Sequence, residues 1–202
     1  MRPAQRPAPR PAAGGRHAVR IIGGQWRRSL LPVADRPGLR PTPDRVRETL
    51  FNWLGQDLSG WRVVDAFAGS GALGFEAASR GAAEVLLLEQ DPAIVASLNA
   101  SRERLKAEML RVQRSDAIAW LRAAPAASRE LVLLDPPFAA GLTQPALAAA
   151  ARVVVPGGFV YLEAGEPLPA ELPPGLMLYR QGQASAVHFA LLQSDRQKEE
   201  TP

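Results

Sequence analysis

Between Trp61 and Glu163 the chain alternates between two hydrophobic periods, and that alternation restricts its fold more than any other feature. Apolar runs at 61–66, 85–88, 110–113, 131–134 and 158–163 are separated by stretches with helical spacing at 72–80, 92–107, 116–123 and 143–152. Strands alternating with helices of this length build βαβ units, which pack as a mostly parallel sheet with helices on its faces. Leu131-Val132-Leu133-Leu134 is apolar at every position, as a strand covered on both faces must be. The end of the chain breaks the pattern. Apolar runs at 177–180 and 186–192 flank Gln181-Gly182-Gln183-Ala184-Ser185, which predicts an antiparallel terminal hairpin with those five residues as its connection. The expected class is α/β.

In an open parallel sheet, ligands sit at the carboxyl ends of the strands. The run 131–134 leads straight into Asp135-Pro136-Pro137-Phe138. Two prolines fix the backbone and remove two N–H donors, so the carbonyls of Asp135 and Pro136 are not consumed by a following helical turn. Acceptors beside the flat ring of Phe138 suit a planar heterocycle with an exocyclic NH2. A strand end with a helix cap, and a Phe138 belonging to the core, are the plain alternatives.

Val63-Val64-Asp65 precedes Ala66-Phe67-Ala68-Gly69-Ser70-Gly71-Ala72-Leu73-Gly74, in which Gly69, Gly71 and Gly74 match G-x-G-x-x-G between a strand and a helix. Such a turn lets backbone approach a ligand closely and offers the free N–H groups of a helix start. Glu89 closes the next strand twenty residues after Gly69, where an acid accepts from ribose hydroxyls. Asp65 lies only four residues before the glycines. Its carboxylate repels a pyrophosphate but pairs with an ammonium or sulfonium, which favours S-adenosylmethionine over a nicotinamide dinucleotide. Asp116 is read as an acceptor for an adenine amine, as the N-cap of the helix at 117, or as both.

The protein has 202 residues and no cysteine, which excludes disulfides, thiolate zinc sites and Cys nucleophiles and fits a cytoplasmic protein. Neither a secretory leader nor a transmembrane run is expected, and no metal-ligand constellation is visible. Residues 1–47 hold eleven arginines against two acids, a net +9, whereas the remainder carries thirteen basic against eighteen acidic residues, a net −5. A basic arm on a mildly acidic body points to a polyanionic partner. Residues 1–18, rich in Pro, Ala, Arg and Gly, are expected to be a disordered tail. Residues 19–56 read as a basic strand-turn-helix extension, 57–193 as the main domain, and 194–202 as a frayed tail. Within the extension, Arg20, Arg27, Arg28, Arg40, Arg45 and Arg47 are candidate phosphate contacts. Trp26 is either a base-stacking ring or core. Thr42 is the expected N-cap of a helix at 43–55, with Pro43 at its first position.

Together, Asp65-x-Phe67-x-Gly69-Ser70-Gly71, Glu89, Asp116 and Asp135-Pro136-Pro137-Phe138 resemble the Rossmann-like class I S-adenosylmethionine-dependent methyltransferases. The last motif is similar to that of enzymes methylating exocyclic amines of bases. Arg20-Ile21-Ile22-Gly23-Gly24-Gln25-Trp26-Arg27-Arg28 and Arg40-Pro41-Thr42-x-Asp44-Arg45-Val46-Arg47-Glu48-Thr49-Leu50-Phe51-Asn52 narrow the resemblance to the RsmD family of 16S rRNA guanine-N2 methyltransferases, over about residues 19–192. The resemblance implies a seven-stranded sheet with its last strand antiparallel. It also implies methylation of one guanine in small-subunit rRNA, within a largely assembled particle. On this reading Asp65, Phe67, Gly69, Ser70, Gly71, Glu89 and Asp116 hold the cofactor, and Asp135, Pro136 and Phe138 hold the base. A monomer is expected. The competing classes are a methyltransferase for DNA or RNA adenine or cytosine or for a protein glutamine, a nicotinamide-dependent oxidoreductase, and a non-catalytic RNA-binding protein on a degenerate version of the fold.

Overall fold

The computed structural model of the protein describes residues 18–33, 42–137 and 141–195. Arg40, Phe138 and nearly all of both expected tails lie outside the described residues. The chain runs β1 (Ala18–Arg20), β2 (Leu30–Pro32), α1 (Asp44–Trp53), β3 (Arg62–Asp65), α2 (Ala72–Ser79), β4 (Glu84–Glu89) and α3 (Pro92–Leu105). It continues through β5 (Leu110–Arg114), α4 (Ala117–Ala123), β6 (Arg129–Leu134), α5 (Thr143–Val153), β7 (Val154–Ala164), β8 (Leu176–Ala184) and β9 (Val187–Ser194). Strands β3 to β9 form a seven-stranded sheet in the order β5-β4-β3-β6-β7-β9-β8. Strands β3 to β7 pair in parallel, and β9 lies antiparallel between β7 and β8. This is the mostly parallel α/β sheet that the alternation predicts, with the antiparallel hairpin that the last two apolar runs predict and the seven-stranded, Rossmann-like order that the resemblance implies.

The central strands are apolar throughout because both of their faces are covered. Val63, Leu131, Leu133, Tyr161 and Leu191 point to one side, where Leu50 and Phe51 of α1, Phe75 of α2 and Leu98 of α3 meet them. Val64, Val132, Leu134, Leu162 and Leu192 point to the other, against Leu121 of α4 and Leu147 of α5. A slip of one residue in any central strand would exchange these sets, so the register is strongly fixed. It pairs Val64 with Val132 and Leu134 with Leu162.

Five elements depart from the sequence expectation. Helix α1 begins at Asp44, with Pro43 rather than Thr42 at the cap position and no side-chain cap. Strand β2 was not anticipated, because Leu30-Leu31-Pro32 is too short to show a period. The hairpin connection is much tighter than five residues: Gln181 to Ala184 belong to β8, and only Ser185 and Ala186 separate the strands. Glycine and glutamine made that stretch look like a loop, yet Gly182 is the residue on which the Phe189 ring lies, 2.5 Å from where a Cβ would stand. Strand β7 starts at Val154 instead of 158, running through Gly157 at φ +75°, and β9 extends to Ser194, inside the expected frayed tail.

Candidate active site

Because β3, β4, β6 and β7 are parallel, their carboxyl ends share one edge of the sheet. Each ends on or next to an acid: Asp65, Glu89, Asp135 and Glu163. Asp65 is 1% exposed. Its Oδ2 accepts the Gly74 backbone N–H at 2.9 Å, and its Oδ1 is buried without a hydrogen-bond partner. Burial pushes its carboxyl up to about 7, the charges of Glu89 and Glu163 add to that, and the Gly74 N–H opposes it. Asp135 follows β6 directly. Burial holds it well above the usual carboxylate range, and the charges of Glu163 and then Asp65 push the same way. Pro136 is buried and Pro137 exposed.

The glycine turn lies between β3 and α2. Gly71 stands in the left-handed region at φ +77°, and a Cβ there would meet Leu98 Cδ2 and Phe75 Cδ2 at 2.7 Å. Gly74 lies against the sheet so closely that a Cβ would stand 2.1 Å from Leu87 Cδ2. Glu89 ties this turn to the next strand: its Oε2 accepts from the Gly69 N–H at 3.1 Å, and its Oε1 from the N–H groups of Gln90 and Asp91 at 2.7 and 2.9 Å. Ser70 is buried, and Phe67 and Gly69 are half-buried. For Asp116 the capping reading holds: its Oδ1 accepts from the Ala119 N–H at 2.7 Å, while its Oδ2 accepts from the Gln90 side chain at 2.9 Å.

Three acids close together in low dielectric would ordinarily be destabilising. The arrangement suits a ligand that carries positive charge and exposes N–H groups. The orphaned Asp65 Oδ1, the crowded carboxyls and the backbone cradle at Gly71 all fit a cationic nucleoside. A pyrophosphate would meet repulsion there.

Two residues of the site were not anticipated. Glu163 is 2% exposed, and its Oε1 accepts from the fully buried Tyr161 hydroxyl at 2.9 Å. Thr42 also donates to it, so the residue expected to cap α1 instead serves the site. The signal was present in the sequence, since Glu163 ends its apolar run as Asp65 ends its own. Among the described residues, no group of three or more His, Asp or Glu could hold a metal ion. No helix among them is long and apolar enough to cross a membrane.

The candidate phosphate contacts divide. Arg27, Arg28 and Arg45 are exposed, and Arg20 is exposed while pairing with Asp44 at 3.2 Å. Arg47 is a correction. It is 0% exposed, with its guanidinium bound to Asp44 at 2.6 Å, Glu76 at 3.3 Å and the Thr42 carbonyl at 3.2 Å, so it cannot face a phosphate. Trp26 is half-buried and packs against the core.

A family model described as "Conserved hypothetical protein 95" matches residues 19–193. The chain is 41% identical over 197 residues to a protein of Escherichia coli named ribosomal RNA small subunit methyltransferase D, covering 94% of this chain and 97% of that protein. A protein of the same name from Haemophilus influenzae is 36% identical over 181 residues, covering 87% of this chain and 94% of that one. The solved structure of a putative methyltransferase, yhhF, from Escherichia coli superposes with a TM-score of 0.79 at 40% sequence identity, over 90% of this chain and 100% of that one.

Proposed function

The chain belongs to the RsmD family of ribosomal RNA small subunit methyltransferases, and from that premise we propose that it methylates the exocyclic N2 amine of one guanine in 16S rRNA, with S-adenosylmethionine as donor. Membership makes it an rRNA methyltransferase. The observation that carries the finer reading is the acceptor pair at the end of β6. A half-buried carboxyl and a proline-fixed carbonyl stand beside two further strand-end acids, next to the glycine turn. An exocyclic amine offers the two N–H groups that such a pair accepts.

The residues fit the donor. Asp65, Phe67, Gly69, Ser70, Gly71, Glu89 and Asp116 would hold it, with the unpaired Asp65 oxygen and the acid cluster favouring its positive charge. Bound, it supplies a methyl group on a sulfonium. The chain's own work is then to orient the amine. The guanine amine is a poor nucleophile because its lone pair is delocalised into the ring. Asp135 and the Pro136 carbonyl accept its N–H groups, hold the nitrogen toward tetrahedral geometry and aim the lone pair at the methyl. Phe138 stacks on the base. Most of the acceleration comes from positioning and from charges fixed beforehand. The base must be single-stranded or flipped to reach this edge. Arg20, Trp26, Arg27, Arg28, Arg40 and Arg45 face the RNA, the small ribosomal subunit or its assembly intermediate is the substrate particle, and the protein acts as a cytoplasmic monomer.

The test is methyl transfer from labelled S-adenosylmethionine to small subunits from cells lacking the protein, followed by nucleoside analysis. N2-methylguanosine in the 16S fraction is the expected result. Label in adenine, cytosine or DNA would overturn the base assignment and leave the cofactor.

A further inference from the structure

Glu163 is a buried acid that orienting the amine does not require. Burying a second carboxylate beside a first is costly, and the protein holds it there with dedicated groups. The β6–β7 register pairs Leu134 with Leu162, which sets Asp135 and Glu163 at the next step of neighbouring strands. On its far side Glu163 accepts from the Tyr161 hydroxyl at 2.9 Å and from Thr42. Arg47 of α1 brings the nearest positive charge, and that charge is divided with Glu76 of α2 and Asp44. Asp65 of β3 faces the pair from the opposite side. Each hydrogen bond and the guanidinium stabilise Glu163 as the anion. Asp135 receives none of these and feels two negative neighbours.

Resting on the guanine-amine reading, we propose that Glu163 is a positioning residue acting through Asp135: with Tyr161, Thr42 and Arg47 favouring the negative charge on Glu163 over Asp135, it makes Asp135 the proton acceptor for the guanine amine. The bookkeeping of the step is simple. The amine nitrogen forms its bond to the methyl carbon while the S–C pair returns to sulfur, leaving a neutral thioether. One N–H proton passes to the Asp135 carboxylate and its bonding pair stays on nitrogen, so the product amine is neutral. A carboxylate of ordinary basicity is a weak acceptor at neutral pH, whereas one raised by burial and by a negative neighbour is a stronger one. The pair titrates as a unit, and burial raises both members, but the groups holding Glu163 act on it alone.

The test is the pH titration of the Asp135 carboxyl carbon by NMR in the ligand-free full chain, for wild type, E163Q and Y161F. In wild type it should titrate above the ordinary carboxylate range. In E163Q its midpoint should fall by at least about one pH unit, since coupled sites of this kind interact by that much. In Y161F, which weakens the anion without removing it, the midpoint should fall part of the way. If E163Q does not fold, Y161F carries the test. An unchanged Asp135 midpoint in a folded variant overturns the proposal. In turnover, the acidic limb of the kcat profile should move to lower pH in E163Q and the plateau should drop roughly tenfold. KM for S-adenosylmethionine should stay near wild type. A role confined to packing would lower the plateau without moving the limb. The ligand-free titration does not depend on which base is methylated, so transfer to another amine would sink the guanine reading while the Asp135 midpoint still decides the coupling.

Discussion

At the scale of single residues, the site is built from acids that the empty protein holds at a cost. Asp65 carries an unfolded value near 3.8 and is raised to about 7 when folded. A group raised on folding contributes stability that is complete below its unfolded value and is lost as pH climbs through the folded one. Asp135 and Glu163 are raised as well, so all three act in the same direction. The ligand-free protein should therefore lose stability between about pH 4 and pH 7, on the order of a few kcal/mol. Denaturant midpoints across that range would check it, and Asp65→Asn should flatten part of the slope. A midpoint that rises toward pH 8 would contradict the electrostatics described here. On the proposed mechanism, Asp135→Asn keeps the shape but removes the proton acceptor and one of the two groups that would orient the amine. Its turnover should drop by about 10²-fold or more while S-adenosylmethionine binding, measured by calorimetry, stays near wild type. These acids were legible where a strong motif surrounded them: Asp65 before the glycines, Asp135 before two prolines. Glu163 escaped because its only local mark is the end of an apolar run. Arg47 misled because a sequence displays a charge and hides its partner, and the buried partner Glu76 is 29 residues away.

At the scale of elements, the basic extension is fastened to the helix that begins at the glycine turn. The β1–β2 hairpin sits on α2 through Glu76, which accepts the N–H groups of Ile22 and Gly23 at 2.8 and 2.7 Å. Ser79 adds a second fastening: its hydroxyl accepts from the Trp26 N–H at 3.0 Å and donates to the Gly23 carbonyl at 2.6 Å. The same Glu76 carries Arg47 of α1 and Arg80, so one buried carboxylate joins hairpin, α1 and α2. Removing one side of such a buried pair strands the other charge, which costs about 3–5 kcal/mol. Glu76→Ala should lower the urea midpoint accordingly and expose Arg27 and Arg28 to trypsin at protease levels that leave wild type intact. Survival of the hairpin in that variant would mean that the buried Val19, Ile21 and Leu31 and the bonds to Ser79 hold it without Glu76. The βα alternation and the helix that follows it were readable because long periodic runs repeat their signal every turn. The two-residue hairpin turn and β2 were not, since each is decided by the register of pairing with the neighbouring strand and not by a period of its own. Leu31 is set opposite Val19 by the hairpin register, not by any period of its own.

At the scale of the whole molecule, charge is divided between the two ends of the sequence, and the described part of the basic arm, the β1–β2 hairpin and the start of α1, is held against α2. The +9 of residues 1–47 lies on the hairpin, α1 and the residues before and between them, and the −5 lies on the rest. Arg20, Arg27, Arg28 and Arg45 are the exposed arginines of this arm among the described residues, and Arg47 has left the set. Each phosphate that an arginine neutralises releases counterions, so affinity falls with salt in proportion to the contacts made. For single-stranded RNA the slope of log K against log salt is about −0.7 per contact. Four contacts give a slope near −3 from this group alone. Replacing Arg27 and Arg28 together by alanine should weaken binding to the small subunit and make the slope shallower by about 1.4. Arg47→Ala should do something different: it should lower stability through the stranded Glu76, and leave the salt slope of the folded fraction unchanged. Filter binding across a salt series for both variants separates the two roles, because a phosphate contact changes the slope and a buried ion pair changes only the amount of folded protein. A salt slope in the Arg27/Arg28 variant equal to wild type would remove the hairpin from the RNA interface.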